Sequence, residues 1–249
     1  MDIHKPKAPH SFREFLSEIG VIVCGIVIAL VLDEGVRVLH DRSIAREARE
    51  AVHDEIRQNL AFMSGRLATQ NCIERRLDEI GDLLAASDDG VLVKTPNWVG
   101  QPSIWYLSDQ RWQVATASGR ASLLPPQEQE RLASVYVSMA RFNDAERQEQ
   151  AAWAQLRGLE SWHGPLGPVG RVHFAEALQQ ARYEIWETRI TINVARMRAK
   201  EIGIEEVAPK VMGGNYSIPH AVCLPIDTPR AKALDILSRD GTPPWGQPK

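Results

Sequence analysis

The chain has 249 residues, a formal charge of −3 and three cysteines; 44% of its residues are hydrophobic and 24% charged. That is the composition of a folded protein rather than a disordered one. A pI near 6.2 argues against a broad basic face for nucleic acid, Cys24, Cys72 and Cys223 are too few for a disulfide scaffold and lack zinc-site spacing, and a mean hydropathy of −0.26 excludes a multi-spanning membrane protein.

One span is nevertheless written near the start. Ser11-Phe12-Arg13-Glu14 has the S-x-x-E form of a capping box and predicts a helix beginning at Phe12. From Ile19 to Leu32 no residue is charged. Fourteen helical residues cover only about 21 Å, and counting from Phe15 brings the length to about 27 Å, against a hydrocarbon core of roughly 30 Å. The run shows no polar stripe, and Leu32-Asp33-Glu34-Gly35 offers no small-x-small cleavage site. An uncleaved signal anchor is therefore expected over residues 11–34, after a short tail, 1–10.

The Lys/Arg count does not orient it. Lys5, Lys7 and Arg13 precede the span, and Arg37, Arg42 and Arg46 follow it. The expectation adopted is a cytoplasmic N-terminus and a large domain outside the cytoplasm, at a bacterial inner membrane. Within the span Glu18, Gly25 and Ala29 lie within about 40° of one another, and Gly20 and Cys24 form a second small-residue face with Ser17. Gly25-x-x-x-Ala29 permits close approach of another helix. Glu18 either reaches a partner or snorkels to the interface. The partners expected are the lipid bilayer and a second copy or another membrane protein.

The pattern Phe15-x-x-Glu18-Ile19-x5-Gly25-Ile26-x-x-Ala29-Leu30 resembles the opening of a group of bacterial single-span membrane proteins of unknown function. A second likeness runs from Trp112 through Ser118-Gly119 and Leu123 to Tyr136. The resemblance implies a bacterial cell membrane and a helical domain after the anchor, and no activity.

Residues 35–51 carry mixed charge and read as a helical stalk. Over Ser43 to Ala86, Val52, Ile56, Leu60, Met63, Leu67, Gln70, Ile73, Leu77, Ile80 and Leu84 step by threes and fours, which predicts one long helix ending at Asp88-Asp89-Gly90. Val91-Leu92-Val93 is either a short strand or merely extended. Trp98, Trp105 and Trp112 follow at intervals of seven, among Pro96, Gly100 and Pro102. They either cover the end of the core or line an aromatic pocket. Ser108 is placed to cap a short helix ending at Gly119.

Pro125-Pro126 opens a second long helix, lined by Leu132, Val135, Met139, Phe142, Trp153 and Leu156. It stops before His163-Gly164-Pro165-Leu166-Gly167-Pro168. The third long helix carries a heptad seam suited to a coiled coil: Phe174, Leu178, Ala181, Ile185, Thr188, Ile192, Ala195, Ala199 and Ile202. Thr188 is its polar exception, as Gln70 is on the first long helix, and each is expected to bond within its own helix or reach the rim. Residues 208–249 are rich in proline and glycine, with a short helix at 229–238. The expected fold is all-α: an anchor, then a bundle of three long helices over 52–207.

No catalytic motif emerges. Glu50-x-x-His53, Glu160-x-x-His163 and Glu184-x-x-Glu187 are the pairs nearest to a di-metal carboxylate site, but such pairs arise by chance, and the second sits at a Gly-Pro break. There is no nucleophile elbow, Walker loop or dinucleotide fingerprint. His173 and Glu176 read as a solvated pair. Cys72 and Cys223 can form a disulfide if the domain is exported. No cofactor, no metal and no enzymatic activity are expected. The favoured function is an interaction, scaffold or accessory subunit. The alternative is an extracytoplasmic ligand-binding or sensory bundle, which would need a membrane partner to signal, because the tail at 1–10 cannot house an output domain.

Overall fold

A computed structural model describes residues 12–87, 92, 94–205 and 221–240, with the side chains of Glu14 and of 237–240 excepted. Ser11, Asp88-Asp89-Gly90, Val91, Val93, most of the Pro/Gly-rich segment and residues 241–249 lie outside it. Among the described residues there are six α-helices and no strand.

Helix α1, Phe12–Ala68, is 57 residues long, about 85 Å end to end. The expected cap, Ser11, lies outside the described residues. The apolar run is rich in Val and Ile, which are poor helix formers in water. In hydrocarbon the balance reverses, because every N–H must be satisfied within the segment. The following stretch, Ser43 to Ala51, draws on Ala, Arg and Glu, which favour helix in any medium. The two therefore join without a break. Residues 15–40 are all exposed, and Ala45 is the first buried residue. The upper half of the expected stalk thus already belongs to the bundle.

The single helix expected over 43–86 is interrupted once. At Thr69 the backbone N–H and the hydroxyl both donate to the Arg66 carbonyl, at 3.2 and 2.9 Å. A side chain that competes for a helical carbonyl tightens the turn locally. The ladder resumes with Ile73 N–H donating to Thr69 O at 3.1 Å. Helix α2, Gln70–Ala85, continues from there.

Residues 98–109 form a non-helical loop leading to α3, Gln110–Ala117. The N-cap is Asp109, without a side-chain cap bond, and not Ser108 as expected; Ser108 lies one residue before it, and its Oγ accepts from the Gln110 N–H at 3.3 Å. Gly119 turns the chain with φ 74°, a conformation that favours glycine. After a 3₁₀ turn at Arg120–Leu123 comes α4, Pro126–Leu156, opened by the Pro125-Pro126 pair. A second 3₁₀ turn, Arg157–Ser161, leads through the Gly/Pro break to α5, Gly167–Glu201. Helix α6, Arg230–Asp240, ends the described chain.

The long helices pack side by side. Arg49 bonds Glu128 and Arg66 bonds Glu149, so α4 runs parallel to α1. Helix α5 returns antiparallel, with Arg198 bonded to Ser138 and Arg131 to the Glu201 carbonyl. Ala181, Ala195 and Ala199 on its seam are fully buried, which lets its neighbours approach closely. The seam and the α1 and α2 stripes are thus buried within one chain.

The core has two main apolar clusters along the bundle axis. The anchor-proximal one gathers Val52, Ile56, Leu60, Met63, Leu132, Val135, Met139, Phe142 and Ile192. The distal one gathers Ile73, Leu77, Ile80, Trp153, Leu156, Phe174, Leu178 and Ile185. Truncating a fully buried Phe142 or Trp153 to alanine would cost about 3–5 kcal/mol. A small third cluster joins Trp98, Ala221, Leu224 and Ala233. It ties the C-terminal segment to the bundle. Cys72 of α2 and Cys223 are joined in a disulfide with Cα atoms 4.9 Å apart. Beside it the buried Arg76 guanidinium donates to the carbonyls of Trp98, Val99 and Leu224.

Candidate functional site

The residues singled out in the span are uncovered in a single chain. Glu18, Gly20, Cys24, Gly25 and Ala29 are all exposed. A Cβ added at Gly20 or Gly25 would meet nothing within 4 Å. The whole apolar stretch of α1 is 0% buried, and it is long and apolar enough to cross a membrane.

Between the two large clusters lies a charged layer that sequence reading passed over. Arg66 on α1 donates through Nε to Glu146 at 2.9 Å and through Nη2 to both oxygens of Glu149 at 2.8 and 2.7 Å. All three side chains are 0% exposed. Gln70 accepts from Arg66 at 3.4 Å and donates to Glu74 at 2.8 Å. The backbone N–H of Trp105 reaches Glu146 at 3.4 Å, and Trp153 Nε1 reaches Glu149 at 3.3 Å.

One guanidinium faces two carboxylates here. Burial pushes the Glu146 carboxyl up to about 7, against the pull of Arg66 and with the repulsion of Glu149 added. Burial alone would lower Arg66, but Glu149 and Glu146 outweigh it and hold it above its ordinary value. Burial also raises the carboxyl of Glu184 on α5, against a hydrogen bond donated by Gln180. The evident work of the charged layer is to fix the register of α1 against α4, since any slip would strand buried charge.

A second polar node anchors the tryptophan loop. Glu55 of α1 accepts from the Tyr136 hydroxyl at 2.7 Å, from Ser108 Oγ at 2.8 Å and from the Arg111 N–H at 3.1 Å, next to the start of α3. Burial, then the bond to Glu55, raises the Tyr136 phenol well above its ordinary value. Asn59 and Asn143 each clamp one residue of the loop by its own N–H and C=O: Ser108 from α1 and Leu107 from α4.

The three tryptophans serve different parts of the core and do not converge on one pocket. Trp98 donates to the Ala221 carbonyl at 2.8 Å inside the third cluster. Trp105 packs on Phe62, and Trp112 stacks on Tyr136. The carboxylate–histidine pairs do not converge either. Glu50 and His163 are exposed. Glu160 accepts from the Val99 N–H at 2.8 Å and from Arg230 at 3.0 Å. Glu187 is paired with Arg141. His53 is half-buried, and desolvation followed by the nearby Arg57 keeps its pKa below the ordinary value. Among the described residues no three metal-ligating side chains gather. His173 and Glu176 are both exposed.

Of the two polar exceptions, Gln70 finds partners one turn away on each side, as expected. Thr188 does not: its hydroxyl is buried without a hydrogen-bond partner. It lies on the seam beneath the neighbouring helices and reaches neither the rim nor a free carbonyl.

The outer side of α5 carries a second apolar stripe. Tyr183, Trp186, Ile190 and Met197 are exposed, with Asn193 completing a three–four spacing. An open groove of about 340 Å³ runs beside it, lined by Leu77, Ile185 and Trp186 with Glu74, Asp78, Arg182 and Arg189. Set against known protein families, curated proteins and solved structures, the chain matches none. The functional argument therefore rests on these surfaces alone.

Proposed function

We propose that the protein is a single-pass membrane-anchored helical subunit that acts through association, with a second copy or another membrane protein, and has no catalytic activity of its own. The observation that carries this reading is the uncovered apolar stretch of α1, with Gly25 and Ala29 on one face and none of the described residues of the bundle folded back over it. The exposed stripe on α5 supports it, because an aromatic and aliphatic row at heptad spacing is an unusual surface for a helix with no neighbour.

The proposed location is a bacterial inner membrane, with residues 43–249 outside the cytoplasm. The tied count of basic residues gave little ground for that orientation. The Cys72–Cys223 pairing adds some, because disulfides persist in oxidising compartments and are rare in the cytosol.

Crosslinking of the full-length chain in native membranes tests the association. The expected result is a discrete crosslinked species at native expression. A strictly monomeric chain without a partner would overturn the reading. Reporter fusions at Lys249, one active only outside the cytoplasm and one fluorescent only inside, test the orientation.

A further inference from the structure

Helix α5 turns opposite faces to different tasks. Its inner seam is buried in the bundle, while Tyr183, Trp186, Ile190, Asn193 and Met197 stand exposed on the outer side. These are the a and d places of two heptads, the spacing with which one helix seats another. The row has charged ends. Glu176 lies one heptad before Tyr183, Lys200 lies one step after Met197, and both are exposed.

The charges beside the row differ from edge to edge. On one edge Arg182 and Arg189 occupy the g places, and behind them on α2 lie their partners, Asp78 at 2.9 Å and Glu74 at 3.9 Å. On the other edge Glu187 occupies an e place, and behind it on α4 lies its partner Arg141. The signs thus run acid, base, row, acid, base across the face of one chain. When a second copy lies alongside in the same direction, the g edge of each meets the e edge of the other. Arg182 then faces Glu187 of the other copy, and Arg196 faces Glu201. The file Asp78, Arg182, Glu187, Arg141 alternates in sign across the contact, so the pairs within each chain extend the pattern rather than oppose it. In the opposite direction g meets g and e meets e, which sets arginines against arginines and Glu187 against Glu187. Rim charges of this kind choose partner and orientation more than they add strength.

Helix α1 sets the direction a second time. In each chain α5 runs antiparallel to α1, so two chains held by α1 in one membrane present α5 in the same direction. Asn193 then meets its own copy, and the two amides can donate and accept reciprocally, a device that fixes register between helices. Glu176 and Lys200 would each meet their like, which confines the contact to the row between them. We propose that this face of α5 binds a second copy of the chain, parallel and in register about a two-fold axis along the membrane normal. That copy is the partner in the association proposed above, and the pairing rests on α1 being a membrane anchor. Two heptads form a small contact, but confinement of both chains to one bilayer raises their effective concentration.

Thiol crosslinking of the full-length chain in native membranes tests the pairing. Cys24 is the free cysteine and is first replaced, Cys24→Ser. Asn193→Cys is then compared, under mild oxidation, with Val137→Cys on the exposed side of α4. The expected product is a species of twice the chain mass, formed severalfold more by Asn193→Cys. Adding Trp186→Glu and Met197→Glu, both at exposed positions, should cut that yield about tenfold while the unfolding midpoint stays close to that of the parent. Equal yields at the two positions would overturn the pairing, and so would an undiminished yield in the glutamate variant. A product of any other mass would make the occupant a different protein and overturn it too. Co-expression of Asn193→Cys with Tyr183→Cys reads the direction: a mixed species without the Asn193→Cys homodimer would mean antiparallel helices and overturn the register. An amine-reactive crosslinker on the same membranes separates α5 from association as such. A discrete species there without the thiol product leaves association standing and sinks α5 as its site. No species by either route removes both.

Discussion

Arg66 and Glu149 meet through two hydrogen bonds, 2.8 and 2.7 Å long, with no part of either side chain exposed. The pair sits between the two apolar clusters, one residue turn below the interruption at Thr69. Removing one member strands the others. Arg66→Met should destabilise the bundle by about 3–5 kcal/mol, because two buried carboxylates lose their cation. Arg66→Met combined with Glu146→Leu and Glu149→Leu should recover most of that loss, since a buried ion cluster often exchanges with apolar residues at little cost. Denaturant titration of the three proteins provides the measurement. A single variant as stable as the wild type would show that the layer is not electrostatically constrained.

Glu146 makes stability depend on pH with a definite sign. Its folded pKa, about 7, lies above the ordinary value of 4.5, so between these limits the folded state holds more protons than the unfolded one. This contribution is full below 4.5, falls as pH rises, and is gone above about 7. Its size is about 3 kcal/mol at most. His53 runs the other way: held neutral in the fold, it lowers stability as pH drops below 6.5. The difference between wild type and Glu146→Gln isolates the first effect. Across pH 5 to 8 the variant should lose less stability than the wild type, read as the thermal midpoint.

The disulfide should be both present and consequential. It closes a loop of 151 residues between α2 and the C-terminal segment. Its loss should cost about 2–5 kcal/mol by constraint of the unfolded chain. Maleimide labelling of denatured protein from cells should modify Cys72 and Cys223 only after reduction. Labelling of both without reductant would argue for a reducing compartment.

In the span, Gly25→Leu should weaken association more than Val23→Leu, by roughly 0.5–2 kcal/mol. The two positions lie about 160° apart around the helix. A Cβ at Gly25 meets nothing within the chain, so any loss reflects contact between helices and not damage to the fold. An association assay on the isolated span makes the comparison, and equal effects would remove this face as an interface.

The fold was largely legible because periodicity reports burial. Val52 to Ile80 on one side and Phe174 to Ala199 on another were read as apolar stripes, and nearly all of their residues are buried. The charged layer was missed for the same reason. On α4 the step from Phe142 runs through 146 and 149 to Trp153, keeping the four–three–four spacing with glutamate at both intermediate positions. A search for apolar residues skips such positions. A search for the unbroken spacing, whatever occupies it, would have found Glu146 and Glu149. Arg66 was hidden likewise, three residues after Met63 and four before Gln70. The loop over 98–109 was beyond pattern reading altogether, since it is held by Glu55, Asn59 and Asn143 across long separations in the chain.

Helix α1 runs from Phe12 to Ala68 without a proline. On the proposed reading of its apolar stretch as a membrane anchor, it works as a lever whose short arm is in lipid and whose long arm is built into the bundle. From Leu32 to Arg66 the long arm measures about 51 Å, so a change of 10° in the tilt of the lipid-seated arm carries Arg66, and every helix packed around it, sideways by about 9 Å. Tilt is what a membrane helix adjusts when the bilayer thins or thickens around it. On that reading the position of the α5 stripe above the membrane surface is geared to the thickness of the surrounding lipid.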